Sequence, residues 1–206
     1  GDTVVAAFSS GELVALRSGN GNDLWNEGLS RGSRTNALSE IRDIAGRPAI
    51  YRGDVYAVSH AGAFAAIDLR TGAPRWTLPV TSTTTPWPAG DVVYVVSKAG
   101  EVICVSRESG QVYWIRDLNE GVTPKKVGGV LGIGGRPGAK PLWTGPLLAS
   151  NKLIVASSTG ELAVLDPKTG AVERTMKLGA AVLLEPIAVD GMVYVVTDDA
   201  QVIALS

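Results

Sequence analysis

The chain has 206 residues, of which 45% are hydrophobic and 19% are charged, and this composition is typical of a globular protein with a sizeable core. Nineteen Lys and Arg residues against twenty Asp and Glu residues give a net charge of −1, which disfavours nucleic-acid binding through an overall basic field. A single cysteine, Cys104, excludes an intramolecular disulfide, and with His60 as the only histidine a zinc site is disfavoured as well.

Five segments of the chain repeat one pattern of strand, tight turn and strand. In chain order they read GDTVVAAFSSGELVAL (1–16), GDVYAVSHAGAFAAID (53–68), GDVVYVVSKAGEVICVS (90–106), NKLIVASSTGELAVLD (151–166) and GMVYVVTDDAQVIALS (191–206). The turn position is occupied by Gly11, Gly62, Gly100, Gly160 and, in the fifth segment, Ala200. Ten residues later the first four segments have a second glycine, at Gly21, Gly72, Gly110 and Gly170. Four residues beyond that glycine stand Trp25, Trp76 and Trp114, with Arg174 in the fourth segment.

The apolar runs and the turn glycines predict antiparallel strands. Runs such as residues 92–96 suit strands that are buried on both faces, and glycine supplies the positive φ that a hairpin turn needs. The turn positions lie 38 to 60 residues apart, which indicates a basic period of about 38–40 residues with two insertions. About 40 residues with four short strands is typical of one propeller blade. The sequence therefore predicts an all-β propeller.

The rest of each blade is predicted from the same spacing. A fourth, inner strand is expected around residues 48–51, 85–87, 145–148 and 185–188. The tryptophan is expected to end the outer strand and to dock between adjacent blades. Residues 36–45 and 178–185 have helical features, but both segments are too short and too isolated to change the fold class.

The number of blades is expected to be incomplete, because the first and last units each lack one strand. We expect the chain to be part of a larger propeller or to close by pairing with another copy, since repeat arrays expose apolar faces at unmatched ends. Self-association of the isolated chain is expected for the same reason.

The repeat core G-D-V-Y-x-V-S-x-x-G-x-x-x-A-x-D-x-x-T-G-x-x-x-W, as it stands in residues 53–76, resembles the quinoprotein-type propeller repeat. Residues 38–76 and 185–206 are also similar to the C-terminal half of the BamB family of outer-membrane β-barrel assembly proteins, and residues 119–146 are the main departure. The resemblance implies about five of an expected eight blades. It further implies a non-catalytic scaffold without a cofactor, held at the periplasmic face of the bacterial outer membrane by a lipid anchor outside this chain.

The resemblance also implies a partner and a binding segment. The partner is the barrel-inserting subunit of the assembly machinery, bound through its periplasmic repeats. The family's binding loop carries an Asp-x-Asp pair before a proline; Asp43 matches the first acid, and Ala45 stands in place of the second. The predicted partner-binding residues are Arg42, Asp43, Ile44 and Arg47. The arginines make this segment electrostatically mixed rather than acidic.

Two insertions stand out by their charge. Residues 26–52 contain five arginines against three carboxylates, and residues 119–146 contain four Lys and Arg residues against one glutamate. We expect a single partial propeller over residues 1–206, with basic insertion loops at about 26–48 and 119–146 on the same face. Solvated loops are the favoured interpretation, and contact with a partner or a lipid surface is the alternative.

Two motifs that suggest catalysis fail on inspection. Residues 128–138 are rich in glycine, but the G-K-[ST] of a phosphate loop is absent, and a G-x-G-x-x-G pattern that starts at Gly132 is broken at Pro137. Ser59, His60 and Asp68 do not form a hydrolase triad, because adjacent strand residues point to opposite faces. His60 is expected in a turn.

A quinone-dependent dehydrogenase is the alternative function. Such enzymes hold a quinone with a calcium ion bound by carboxylates and an amide, commonly beside a disulfide between adjacent cysteines. This chain has one cysteine and no Asp, Glu and Asn cluster shared between the predicted channel-lining strands, so the scaffold is favoured. Cys104 alternates with Val102 in a predicted strand and is expected to be a small buried apolar group.

Overall fold

The computed structural model describes residues 2–8, 10–28, 46–60, 62–124, 126–127 and 136–206. These ranges contain twenty β-strands and no helix, so no membrane-spanning helix is found in them. The strands are β1 (Thr3–Ala7), β2 (Glu12–Arg17), β3 (Asp23–Gly28), β4 (Ala49–Tyr51), β5 (Asp54–Val58), β6 (Phe64–Asp68), β7 (Pro74–Leu78), β8 (Trp87–Ala89), β9 (Val92–Val96), β10 (Glu101–Ser106), β11 (Val112–Asp117), β12 (Lys126–Val127), β13 (Arg136–Pro137), β14 (Trp143–Ala149), β15 (Lys152–Ser157), β16 (Glu161–Leu165), β17 (Val172–Lys177), β18 (Ile187–Val189), β19 (Met192–Val196) and β20 (Val202–Leu205).

Eighteen of the described strands form five antiparallel sheets in which each strand pairs with its neighbour in the sequence. The first sheet contains β1–β3 and the last β18–β20, and between them lie three four-stranded sheets, β4–β7, β8–β11 and β14–β17. Strands β12 and β13 pair separately within the second insertion. Consecutive meanders of this kind, packed face to face, are the arrangement of a β-propeller. The predicted fold is confirmed, and the five sheets are called blades 1 to 5 below.

The core lies between successive blades rather than within any one of them. Tyr56, Phe64 and Trp76 of blade 2 are buried against Val93 and Ile103 of blade 3. Similar clusters join blades 1 and 2, blades 3 and 4, and blades 4 and 5. Strands that are buried on both faces need apolar residues at every position, which explains the continuous Val, Ile and Tyr runs of the sequence.

The five hairpin turns share one backbone conformation. The turn glycines have φ between 76° and 92°, a left-handed region that residues with a Cβ rarely adopt. These glycines are Gly11, Gly62, Gly100 and Gly160. Ala200 occupies the same turn position in blade 5 with φ of 63°. Blade 5 therefore has a Cβ at a left-handed position where the other four blades have glycine. The glycine pattern of the sequence therefore reports a true backbone requirement.

The tryptophans dock between blades, as predicted. The indole Nε1 of Trp25 donates to the Leu69 carbonyl of blade 2 at 2.7 Å, and Trp76 and Trp114 make equivalent bonds to the next blade. Each indole lies on the second glycine of that next blade: a Cβ on Gly72 would come within 2.8 Å of the Trp25 ring. The glycine is therefore required for the approach of the neighbouring blade as well as for its φ of 75°.

One detail of the prediction is wrong, because each tryptophan is the third residue of its outer strand and does not end it. In blade 2 the amide of Gly72 donates to the Asp68 carbonyl, so strand β7 begins at Pro74.

Each predicted inner strand is found, as β4, β8, β14 and β18, although β8 and β18 begin two residues later than predicted and β14 begins two residues earlier. Residues 178–185 form bends and an isolated bridge between Val182 and Thr197, without a helix. Residues 36–45, the other segment with helical features, lie outside the described ranges.

Candidate partner-binding site at the blade entrances

The inner strands of blades 2, 3 and 5 each begin directly after a proline, and the inner strand of blade 4, β14, contains one at Pro146. The residues that precede these prolines are called the entrance residues: Arg47, Thr85, Gly145 and Glu185. The inner strand is an edge strand, and proline fits there because no ladder hydrogen bond is lost. Three entrance residues, Arg47, Thr85 and Glu185, line one cavity of about 920 Å³, which is called the axial cavity.

One hydrogen bond connects entrance residues that are far apart in the sequence. The Thr85 amide donates to Glu185 Oε1 at 2.6 Å, which joins the entrances of blades 3 and 5. The entrance residue of blade 4, which lies between them in chain order, is Gly145 and has no side chain. A Cβ on Gly145 would come within 3.0 Å of the Ile154 carbonyl in the neighbouring strand β15, so this entrance position is restricted by its own blade.

The entrance of blade 2 is held against blade 3. A Cβ on Gly46 would collide with the Thr84 carbonyl, so only glycine permits this approach. Thr84 is itself fixed, because Ser82 donates to the Val96 carbonyl at 2.6 Å and accepts from the Thr84 amide. Arg47 therefore extends from a well-supported backbone, and its side chain is exposed.

The lining of the axial cavity is mainly apolar. Leu142, Leu183, Leu184 and Ile187 are each more than half exposed there. Among the described residues, the lining has two charged side chains of opposite sign, Arg47 and Glu185. Exposed apolar side chains surrounded by polar groups are typical of a surface that contacts another molecule.

The structure places one of the four predicted partner-binding residues. Arg47 lies at the rim of the axial cavity. Arg42, Asp43 and Ile44 lie outside the described ranges, so their role stays a prediction. Thr85 and Glu185 were not predicted as site residues, although the proline that follows each of them and recurs at the other inner strands marks their positions in the sequence.

The second insertion leaves the propeller from a fixed base. Asn119 is buried and donates from Nδ2 to the carbonyls of Ala99 at 2.8 Å and Pro141 at 3.0 Å. Its Oδ1 accepts from Trp143 Nε1 at 3.0 Å. Asn119 lies at the start of the insertion and Pro141 near its end. The three hydrogen bonds of the Asn119 side chain, called the Asn119 clamp, therefore hold the two ends of the insertion together beside Gly100.

The residues rejected as catalytic are placed as expected. Ser59 and Asp68 lie at opposite ends of the β5–β6 hairpin, and His60 lies in its turn. Cys104 is buried, and this burial raises the pKa of its thiol to about 11, so the unreactive protonated form predominates at neutral pH. Across the described ranges, no group of three or more His, Cys, Asp and Glu residues is arranged to hold a metal ion.

The fold defines a β-propeller built from quinoprotein-type repeats, and comparison with known proteins identifies its family. The family model described as "Outer membrane protein assembly factor BamB" matches residues 1–116 and 125–206. The chain therefore belongs to the BamB family.

Individual relatives agree with this assignment. The BamB of Burkholderia pseudomallei strain K96243 is 30% identical over 79 residues, which are 38% of this chain and 21% of the relative. The crystal structure of BamB from Moraxella catarrhalis matches with a TM-score of 0.77 at 20% identity, over 98% of this chain and 54% of that one. The chain thus spans about half the length of that structure.

An enzyme shares the fold. A quinohemoprotein alcohol dehydrogenase from Pseudomonas putida HK5 matches with a TM-score of 0.64 at 14% identity, over 100% of this chain and 40% of that one. At this identity the likeness concerns the fold alone.

Proposed function

We propose that this chain serves in outer-membrane protein assembly as a non-catalytic binding scaffold. Membership of the BamB family of outer membrane protein assembly factors is the observation that carries the proposal. A propeller suits this role, because its rigid blades present loops on one face while the core between the blades stays intact.

The partner is the barrel-inserting subunit, contacted through its periplasmic repeats by Arg42, Asp43, Ile44 and Arg47. Support comes from Arg47, which is exposed at the rim of the axial cavity on a backbone that Gly46 fixes against Thr84. A guanidinium on a rigid support forms charge-assisted hydrogen bonds with little loss of conformational entropy. The single propeller with its two basic insertions acts at the periplasmic face of the outer membrane, where a lipid anchor beyond this chain holds the intact protein.

The alternative, a quinone-dependent dehydrogenase, has less support. The only carboxylate in the lining of the axial cavity among the described residues is Glu185, and one of its oxygens accepts a bond from Thr85. A calcium–quinone site requires several oxygen ligands that converge on one point. Reconstitution with quinone and calcium is expected to give no dye-linked dehydrogenase activity, and measurable turnover would contradict the scaffold assignment.

Binding to the soluble periplasmic repeats of the barrel-inserting subunit tests the partner site. Arg47→Glu and Asp43→Arg are each expected to weaken binding at least about tenfold, because each replaces one charge by its opposite at the contact. Arg70→Glu is the matched control, since Arg70 is also exposed but lies in the β6–β7 turn, at the far end of blade 2. Unchanged affinity for both test variants, with melting temperatures equal to the wild type, would show that this segment is not the contact.

A further inference from the structure

Blades 1 and 5 each have one sheet face that no other blade covers among the described residues. Blades 2, 3 and 4 are packed against a neighbour on both faces, whereas the sheet of blade 1 packs on blade 2 and the sheet of blade 5 packs on blade 4. The glycines show the difference, because a Cβ on Gly72 would meet the Trp25 ring, and a Cβ on the equivalent Gly21 of blade 1 would meet no atom within 4 Å. The two uncovered faces are called face 1 and face 5 below.

Face 1 repeats a surface that is buried in blade 2. Four residues of blade 2 are fully buried where blade 1 packs on it: Val55, Ala57, Ala65 and Ile67. The residues at the same distances from the turn glycine of blade 1 are also apolar, and they pair across β1 and β2: Val4, Ala6, Val14 and Leu16. None of these four is buried, and Val4 is 50% exposed. Face 1 therefore has the composition of a surface that another blade covers.

Face 5 repeats the opposite surface of blade 2. The residues of blade 2 that are fully buried against blade 3 are Tyr56, Val58, Phe64 and Ala66. The corresponding residues of blade 5, counted from Ala200, are again apolar and pair across β19 and β20: Tyr194, Val196, Val202 and Ala204. Val196 is 39% exposed and Val202 is 67% exposed. Face 5 therefore has the composition of a surface that packs on a following blade.

The two faces are complementary, because all blades of the chain stack in one direction. In the joint of blades 2 and 3, Tyr56 and Phe64 of the earlier blade pack on branched aliphatic residues of the later blade, such as Val93. Face 5 corresponds to the earlier side of such a joint, and face 1 corresponds to the later side. Face 5 of one molecule on face 1 of another would repeat the internal joint and remove two exposed apolar surfaces from water.

A joint of this kind does not require a docked tryptophan. Blade 4 has Arg174 at the tryptophan position, and it still packs on blade 5 through buried residues of both blades, among them Leu162 and Val195. The joint of blades 4 and 5 is therefore an example, within this chain, of the contact that face 5 would make with face 1.

The length of the chain indicates how many copies would close a ring. The chain matches the Moraxella catarrhalis BamB structure over 98% of its own length and 54% of that chain, so two copies have about the length of one such propeller. A contact between two different surfaces generates a closed ring when its rotation brings the remaining pair of faces together, and an open filament otherwise. Two molecules that each span about half of a propeller meet the condition for closure.

We propose that two copies of this chain associate head to tail, with face 5 of each copy packed on face 1 of the other, to close one propeller ring. Burial of the apolar side chains of both faces provides the affinity, and the stacking direction of the blades determines which faces meet. The contact is separate from the axial cavity, and it does not depend on the function proposed above.

Sedimentation velocity of the 206-residue chain over a range of concentrations tests the proposal. We expect a single associated species with twice the mass of the chain. A monomer at every concentration would leave the two faces to another occupant, such as a further blade of a longer polypeptide, and would overturn the proposal. Species that keep growing with concentration would also overturn it, because they indicate an open array of copies and not a closed pair.

Charged substitutions locate the contact. Val4→Glu on face 1 and Val202→Lys on face 5 each place a charge in an apolar joint, and each is expected to raise the Kd of the pair at least about tenfold. Both side chains are at least half exposed in the single chain, so the fold should be retained, which circular dichroism verifies. Val172→Lys is the matched control, because Val172 is 42% exposed but belongs to the outer strand of blade 4. An equal loss with Val172→Lys, or no loss with either test variant, would contradict the assignment.

A mixture of the two variants tests the head-to-tail arrangement. A pair of one Val4→Glu chain and one Val202→Lys chain has one joint between unaltered faces, and its other joint brings opposite charges together. Each variant paired with itself has two joints with an unmatched charge. The mixture is therefore expected to associate at least about tenfold more tightly than either variant alone. A mixture no tighter than the separate variants would show that face 1 does not meet face 5 and would overturn the proposal.

Discussion

Blade 2 has every residue of the repeat, whereas blades 4 and 5 depart from it at several positions. The contrast between them shows which positions contribute most to the stability of the fold. In blade 2, Asp54 is bound by Arg75 Nε at 2.5 Å and by Arg107 Nη1 of blade 3 at 3.0 Å. Blade 4 has Lys152 and Glu173 at the positions of Asp54 and Arg75, with the two charges exchanged. Arg174 replaces the tryptophan of blade 2, and Ala200 of blade 5 replaces the turn glycine.

The two ion pairs differ mainly in burial. The side chain of Asp54 is 6% exposed and also accepts a bond from the Tyr56 hydroxyl, whose pKa burial raises to about 12. The side chains of Lys152 and Glu173 are 43% and 35% exposed. The pair in blade 2 joins two blades, and the pair in blade 4 stays within one sheet. Blades 2 and 4 thus share a pair of opposite charges at these two positions, and its burial beside the neighbouring blade determines how much it contributes to stability.

The largest effect is expected at the docked tryptophan. Trp76→Ala removes a buried ring that packs edge-to-face on Phe64 at 5.1 Å and donates to the Arg107 carbonyl at 2.9 Å. Loss of this volume should lower the free energy of unfolding by about 3–5 kcal/mol. Arg174→Ala, at the equivalent position of blade 4, should change it by less than about 0.5 kcal/mol. Denaturant unfolding of both variants measures the difference, and equal losses would mean that the docking contact is not what stabilises the junction.

The next effect is expected at the ion pairs. Asp54→Ala leaves Arg75 and Arg107 without their shared carboxylate, and should cost about 2–3 kcal/mol, reduced from a fully buried pair because both arginines reach solvent. Glu173→Ala should cost less than about 1 kcal/mol, since its pair with Lys152 is substantially exposed. Both values are measured by thermal and urea unfolding. A cost at Glu173 as large as at Asp54 would contradict the argument from burial.

A smaller effect, of opposite sign, is expected in blade 5. Ala200→Gly removes the Cβ from a residue with φ of 63° and should raise the free energy of unfolding by about 0.5–1 kcal/mol, because glycine adopts this conformation without steric cost. The converse change, Gly62→Ala, should be destabilising, since φ is 92° and its Cβ would come within 3.2 Å of Thr81 Oγ1. Destabilisation by Ala200→Gly would mean that the left-handed turn is not maintained.

The smallest effect concerns a feature that blades 2 and 4 share. The Thr71 amide and hydroxyl hold the pKa of Asp68 below its ordinary value of 3.8, and Thr169 does the same for Asp166. Because the folded pKa is lowered, both carboxylates stabilise the fold above about pH 3.8 and lose this contribution as the pH falls through the folded value. NMR titration of the carboxyl carbons should show both midpoints below 3.8. Thr71→Val should raise that of Asp68 alone, and a coupled rise at Asp166 would refute this local origin.

Much of the fold follows from the sequence because the repeat encodes local requirements. A positive φ selects glycine, and a close approach by the next blade selects glycine again at Gly72, so both positions are visible without a structure. Strands buried on two faces are visible as continuous apolar runs. Each of these features needs only the residue and its immediate neighbours, which a sequence displays directly.

The candidate site was predicted less completely, because its contacts connect distant residues. Thr85 and Glu185 are 100 positions apart, and their hydrogen bond joins a backbone amide to a carboxylate. Because almost every residue has a backbone amide, the residue type at position 85 does not reveal this contact. The paired exchange of charges at Lys152 and Glu173 is equally hidden, since the sequence does not show that these residues face each other.

The Asn119 clamp makes the second insertion a place for grafting. Once Asn119, Pro141 and Trp143 hold the ends together, the entropy of closing the intervening loop grows only slowly with its length. A longer loop, an epitope or a fluorescent reporter inserted there would add little strain to blades 3 and 4. The same clamp allows the sequence of the insertion to diverge during evolution and to suit a new partner, because the side-chain amide of Asn119 keeps the adjoining blades in place.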